Sequence, residues 1–511
     1  MTAITKNISQ EQARIGQFIS QMREQKGLTQ AELAALLKTS QSAVARMEKG
    51  LQNLTTEMLA KISGVLNQEI ITLAGDNVNF KIEGGWKLSG EITTNTSKNA
   101  AMSLLCAALI NEGKTVLEHV PRIEEVYRMI EVLTSIGVFV KWQDANLEIQ
   151  PPKRLKLKNI DLAAATRTRS VLMLLGPLIH LFDHFSLPHP GGCRLGARTV
   201  RPHLFALEKM GIKVKTTHDN YQVTAMDVRS GEVVLYETGD TVTENVLMAA
   251  AKLPGRTVIK MASANYMVQD LCHFLGALGV KIEGIGSSTL IVHGKPRINQ
   301  MVRYALSEDP IESMLFLAIA ATTNSALTIK RCPIDFLELE LLKLEKMGFR
   351  HKISKRYKAV NGITNLADIE TFSSKLTASE EKLHPLPGGL GINIDNLPFF
   401  VPIATQAKGT TLVHDWVYEN RAIYYMELAK LRANIILADP HRVYIEGPTE
   451  LKAAEVICPP ALRPAANILV AMLAAKGTSI LRNAYSINRG YADLVPRLRK
   501  LGAKIEMLRG L

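Results

Sequence analysis

At 511 residues, with 47% hydrophobic and only 5% aromatic content, the chain is globular and long enough for about three domains. The five cysteines (Cys106, Cys193, Cys272, Cys332 and Cys458) are odd in number and dispersed. They show no CxxC or paired-His spacing of a metal site, no apolar run reaches the ~20 residues of a bilayer span, and the first ten residues lack a signal pattern. The expectation is a cytoplasmic protein, neither secreted nor in a membrane, with metal: none. Of the net charge of +13, residues 1–75 hold eight Lys/Arg against six Asp/Glu, so most of the excess lies beyond them. Charge so placed suits small anionic ligands at least as well as nucleic acid.

In chain order, residues 1–75 read as short amphipathic helices. Thr29 is placed to cap one helix, and Leu33, Val44 and Met47 to bury the contact with the next. Ser40, Gln41 and Ser42 open that second helix, where glutamine can hydrogen-bond an adenine edge. The run from Gly27 to Gly50 resembles the Cro/phage-repressor helix-turn-helix family, with Lys38 at the turn position where glycine is common. That resemblance implies duplex DNA as a partner, contacts from Gln30, Ser40, Gln41 and Ser42, and binding as a homodimer. Modules of this type also serve as protein-interaction domains, and the weak local charge keeps that alternative open.

The segment Leu73 to Asn79 interrupts the helical pattern and marks a domain boundary. Beyond it a helical leucine stripe, then Leu/Met/Ile-Gly, then a β-branched or basic strand start recurs. It appears at Ile136-Gly137-Val138, Met210-Gly211-Ile212, Leu278-Gly279-Val280, Met347-Gly348-Phe349, Leu431-Arg432-Ala433 and Leu501-Gly502-Ala503. The copies lie about 70 residues apart, which predicts six α/β repeats, three to a lobe, joined near Tyr304 to Asp309. A ligand cleft is expected between the lobes.

The loop Pro190-Gly191-Gly192-Cys193-Arg194-Leu195-Gly196-Ala197-Arg198 sets one thiol among guanidiniums. Neighbouring positive charge favours thiolate, glycines permit close backbone approach, and arginine forks match phosphate and carboxylate.

From about Phe80 onward the chain resembles the enolpyruvyl transferase family, and the loop cysteine points to its sugar-nucleotide branch. The resemblance implies an α/β (α+β) fold: two lobes of six βαβαββ-type repeats, preceded by the small all-α helix-turn-helix domain (1–75). One lobe would comprise 80–97 plus 307–511 and the other 98–306. It further implies transfer of enolpyruvate from phosphoenolpyruvate to UDP-N-acetylglucosamine or a related sugar nucleotide, for peptidoglycan synthesis, with cofactors: none. Residue by residue, Ser97-Lys98-Asn99-Ala100 resembles the family's opening motif, with Lys98 on phosphoenolpyruvate and Asn99 on the acceptor sugar. Cys193 matches the loop acid, Arg198 a phosphoenolpyruvate-binding arginine, and Arg169 an arginine near the nucleotide. Asp395 falls where the family places a carboxylate beside the attacking hydroxyl. Val417, Arg421, Arg463 and Arg489 complete the substrate-binding set. The reaction needs an acid for the methylene carbon, a base near the hydroxyl, and cations for carboxylate and departing phosphate.

Three positions depart from the family pattern. Pro460-Ala461-Leu462-Arg463 stands where the family has Thr-Asp-Leu-Arg, so a second carboxylate is absent. Arg198-Thr199-Val200-Arg201-Pro202 replaces a uridine-contacting Arg-Pro-Val-Asp-Leu, and Gly239-Asp240-Thr241 replaces a diphosphate-contacting Ser-Val-Gly. The alternative from another class is a transcription regulator whose transferase-like domain senses a cell-wall precursor with little or no turnover.

Overall fold

The computed structural model describes residues 16–17, 19–20, 22–24, 27–52, 54, 58, 61–62, 65, 78–191, 199–389 and 391–509. The chain divides into two compact units, one ending at Asn77 and the other spanning Val78–Arg509. Among the described residues no helix is long and apolar enough to cross a membrane.

In the first unit, α1 (Gln30–Leu37) starts at Thr29, whose side chain accepts from Glu32 N while the Glu32 carboxylate accepts from Thr29 N at 2.7 Å. This reciprocal cap satisfies two otherwise orphaned donors. The helix ends at Lys38, which takes φ 54°, so a lysine adopts the left-handed turn geometry that glycine usually supplies. Ser40 caps α2 (Gln41–Glu48) by accepting from Ala43 N at 3.2 Å. Leu33, Val44 and Met47 are buried in one small core with Ile19 and Ile62. Burial of each such side chain is worth about 1.5–3 kcal/mol.

The second unit repeats one module six times. A strand leads through an outer helix to a second strand, and a hairpin returns a third strand to lie between the first two. In the module after residue 114 these are β1 (Thr115–Glu118), α4 (Glu124–Ser135), β2 (Phe139–Gln143) and β3 (Asn146–Gln150), with β3 antiparallel to both. The six recurrent phrases sit where each outer helix meets its second strand. Gly137, Gly211, Gly279, Gly348 and Gly502 all have positive φ there, and Arg432 takes φ 68° in the fifth copy. The repeat therefore depends on a left-handed C-cap rather than on glycine itself.

In the last module the third strand comes from the start of the unit: Val78–Gly84 pairs antiparallel with both Gly477–Arg482 and Lys504–Arg509. Two strands cross between the halves. Ser89–Thr93 pairs parallel with Ala326–Pro333, and Val302–Ala305 pairs parallel with Thr115–Glu118. Among the described residues, strands in 78–93 and 326–509 thus pair only among themselves, as do those in 115–305. Inner helices, α3 (Lys98–Ala107), α6 (Asp240–Ala250), α8 (Pro310–Thr322) and α10 (Leu462–Ala474), are buried over most of their length and fill the core.

Candidate active site

The N-termini of three inner helices supply the chemistry of one cavity. Ser97 caps α3 by accepting from Ala100 N, which places Lys98 and Asn99 in its first turn. Arg463 lies in the first turn of α10, whose cap residue, Ala461, is buried and forms no side-chain capping bond. Asp240 opens α6. With Glu125, Arg169, His203, Asn393, Asp395, Arg421 and Arg489 they line a cavity of about 220 Å³.

Two acid-centred clusters organise its cations. Glu125, in the first turn of α4, accepts from Lys98 Nζ at 2.6 Å and lies 3.3 Å from Arg489 Nε. Although burial pushes its carboxyl up, Lys98 and Arg489 hold it below the ordinary range. Asp395 is set between two guanidiniums: Arg463 Nη2 donates to it at 3.1 Å and Arg421 Nη1 lies 4.0 Å away. Burial again opposes ionisation, and Arg463 and Arg421 overcome it, so the Asp395 carboxyl sits below the usual value. Such a carboxylate is a good hydrogen-bond acceptor and a weak base.

Arg421 is held by a group the sequence reading did not include. Its Nε and Nη2 donate to Asp415 Oδ2 and Oδ1 at 2.6 and 2.8 Å, and Tyr425 Oη donates to the same carboxylate. Both members are fully buried, and removing one partner of such a pair commonly costs about 3–5 kcal/mol. Tyr418 lies against Arg421, its ring 4.5 Å from the guanidinium carbon. Arg463 is similarly fixed by Tyr491 Oη at 2.7 Å, and Asn99 Nδ2 donates to Tyr266 Oη at 3.1 Å.

The cavity thus brings together Lys98, Asn99, Arg169, Asp395, Arg421, Arg463 and Arg489. Arg169 also donates to Thr199 O at 3.1 Å. Val417 is half-buried and does not line the cavity; its neighbour Tyr418 does. Cys193 and Arg198 lie outside the described residues. Gly191 corrects one expectation: a Cβ there would come within 1.3 Å of Thr166 O, so this glycine serves backbone packing rather than approach to a ligand. In the first unit, Ser40, Gln41 and Ser42 are exposed, whereas Gln30 Nε2 donates to Glu48 at 2.8 Å within a buried cluster containing Arg23.

Glu125, Asn393 and Asp415 were not singled out in the sequence, whereas Glu244 lies in Thr243-Glu244-Asn245, which matches the family pattern. Glu125 reads there as an ordinary acid in a helix first turn. The demand of a buried arginine for a carboxylate is the one signal that could have pointed to Asp415.

Fold and site define an α/β protein of six repeats with a cavity in which lysine and arginine side chains meet buried carboxylates. Residues 82–507 match the model of the EPSP synthase (3-phosphoshikimate 1-carboxyvinyltransferase) family, and residues 19–73 match a helix-turn-helix model. The chain is 33% identical over 429 residues to the UDP-N-acetylglucosamine 1-carboxyvinyltransferase of Bradyrhizobium diazoefficiens, covering 84% of this chain and 98% of that one. It is 31% identical to the enzyme of the same name from Borreliella burgdorferi, with 84% and 99% covered. Among solved structures, the enolpyruvyl transferase NikO from Streptomyces tendae aligns with a TM-score of 0.73 at 22% identity, over 85% of this chain and all of that one. EPSP synthase from Acinetobacter baumannii aligns with a TM-score of 0.68 at 17% identity, over 84% of this chain and 100% of that one. The chain belongs to the enolpyruvyl transferase family and carries an N-terminal helix-turn-helix domain.

Proposed function

We propose that the chain transfers the enolpyruvyl group of phosphoenolpyruvate to a hydroxyl of UDP-N-acetylglucosamine or a related sugar nucleotide, in the cytoplasm, for peptidoglycan precursor synthesis. The observation that carries this reading is the placement of one ionised carboxylate, Asp395, between Arg463 and Arg421, in a cavity that also holds Lys98 and Arg489. In this reading 80–97 plus 307–511 and 98–306 are the closing lobes, supported by strand pairing that keeps the two sets apart.

Cys193 delivers a proton to the methylene carbon while the acceptor oxygen bonds to the adjacent carbon and its own proton passes through the Asp395 carboxylate to solvent. The Cys193 thiolate then takes back a methyl proton as phosphate departs, which regenerates the double bond. Lys98, Arg198, Arg421 and Arg489 neutralise the carboxylate and phosphate of the donor substrate, and Asn99, Arg169 and Arg463 hold the acceptor. Asp395, held ionised by its arginines, accepts a hydrogen bond from the attacking hydroxyl and orients it. Phosphate release from phosphoenolpyruvate across a panel of nucleotide sugars tests the reading: acceptor-dependent release is expected, and binding of both substrates without release would refute it.

The buried Ala461 and the helix-turn-helix domain favour a second reading, a regulator that senses a cell-wall precursor with little turnover. In either case the first unit would bind duplex DNA as a homodimer through Ser40, Gln41 and Ser42. Gln30, braced on Glu48, would offer its side-chain carbonyl.

A further inference from the structure

Two carboxylates in the cavity lie apart from the cation clusters. Asp240 and Glu244 are four residues apart on α6 and so share one face, and both line the cavity. Among the described residues neither forms an ion pair. The Asp240 carboxylate is fixed by Ser263 Oγ at 2.6 Å and Asn265 Nδ2 at 3.2 Å. Asn265 in turn accepts from Asn393 Nδ2 at 3.1 Å, and Asn393 Oδ1 accepts from Asp395 N at 2.9 Å. This chain of bonds joins the acid on α6 to the loop that carries Asp395. Glu244 is 2% exposed, and its Oε1 has no hydrogen-bond partner. A buried oxygen of this kind calls for a donor.

A helix N-terminus ordinarily favours a phosphate, and the sugar-nucleotide branch places a diphosphate-contacting Ser-Val-Gly where this chain has Gly239-Asp240-Thr241. Here a fixed carboxylate already stands at that position; burial pushes it up, and its donors, Ser263 and Asn265, oppose that shift. A phosphate brought there would meet carboxyl oxygens in a desolvated wall; a hydroxyl or ammonium would find two acceptors.

We propose that Asp240 and Glu244 select the acceptor, so that the group delivered to the first turn of α6 is a hydrogen-bond donor, a hydroxyl or an ammonium, and not a phosphate. Any phosphate on the acceptor is left to the Arg169 side of the cavity. The inference rests on the enolpyruvyl transfer reading and narrows its acceptor.

Calorimetric titration of the full chain with UDP-N-acetylglucosamine, comparing wild type with Asp240→Asn and Asp240→Glu, tests it. Removing the charge is expected to tighten binding about tenfold or more, while Asp240→Glu brings no gain. Phosphoenolpyruvate binding serves as the folding control, and Asp240→Ser takes the place of Asp240→Asn if the latter fails it. Equal or tighter binding of UDP-N-acetylglucosamine by the wild type would overturn the proposal. Phosphate release measured on the same proteins judges the transfer reading separately: its absence throughout would sink that reading while leaving the affinity comparison intact.

Discussion

Ala461 and Asp309 show how single side chains set the terms of this site. Ala461 has extended backbone and stands at the N-cap of α10, two residues before Arg463, with no side chain to meet the first-turn donors. Ala461→Asp would supply that cap, worth about 1 kcal/mol, and return the carboxylate that the family pattern has beside Arg463. Loss of one such acid-base group commonly costs about 10²- to 10⁴-fold in rate, so the substitution is expected to raise turnover visibly. A variant that gains thermal stability but no rate would assign the position to helix capping alone.

Asp309 caps α8 by accepting from Ile311 N at 2.8 Å. Burial pushes its carboxyl up to about 6 even though Arg463 favours the ionised form. A folded value above the unfolded one means that the native state binds the extra proton, so this group's contribution falls as pH rises from about 4 to about 6. Asn caps helices as well as Asp does. Asp309→Asn should therefore flatten stability over that range and be no less stable than wild type at pH 7, as read from urea midpoints. A steeper loss with rising pH in the variant would contradict the assignment.

At the scale of elements, the left-handed caps that generate the repeat differ in how tightly they are packed. A Cβ on Gly211 would come within 2.3 Å of Asp227 O, whereas one on Gly502 would meet nothing within 4 Å, although their φ values, 89° and 90°, are nearly equal. Gly502→Ala should cost only the conformational penalty, about 1 kcal/mol, and Gly211→Ala clearly more because backbone must move. Equal denaturant midpoints for the two would show that the contact at Gly211 relaxes freely. In the first unit, α2 presents Gln41 to solvent while Leu33, Val44 and Met47 hold the helix pair together. Gln41→Ala is expected to relax base preference more than it weakens non-specific, salt-dependent binding. Failure of residues 1–75 to shift any genomic fragment at low salt would favour a protein-interaction role.

Across the whole molecule, what the sequence disclosed is what local chemistry dictates. The six helix-to-strand junctions were legible because each needs a left-handed residue within a short stretch, and Thr29 announces its helix because an N-cap acceptor is an equally local requirement. The parallel pairings of Ser89–Thr93 and Val302–Ala305 across some 200 residues leave no periodic trace, so the grouping of 80–97 with 307–511 came from the resemblance alone. The site divides the same way. Lys98, Asp395, Arg421, Arg463 and Arg489 stand out by resemblance, but their partners do not. Glu125 and the Asp240–Asn265–Asn393 bonds are long-range contacts that only folding brings together, while Asp415 is near Arg421 in sequence but belongs to no motif.

The central claim is that this cleft makes an enolpyruvyl ether. The most direct measurement is mass analysis of the acceptor after incubation with phosphoenolpyruvate and a nucleotide-sugar panel, comparing wild type with Asp395→Asn at matched phosphoenolpyruvate occupancy. The account expects an enolpyruvyl adduct on at least one acceptor with the wild type, and formation slower by about 10²-fold or more in Asp395→Asn, as for loss of a positioned catalytic group. Unmodified acceptors after saturation with both substrates, or an unchanged rate in Asp395→Asn, would contradict it.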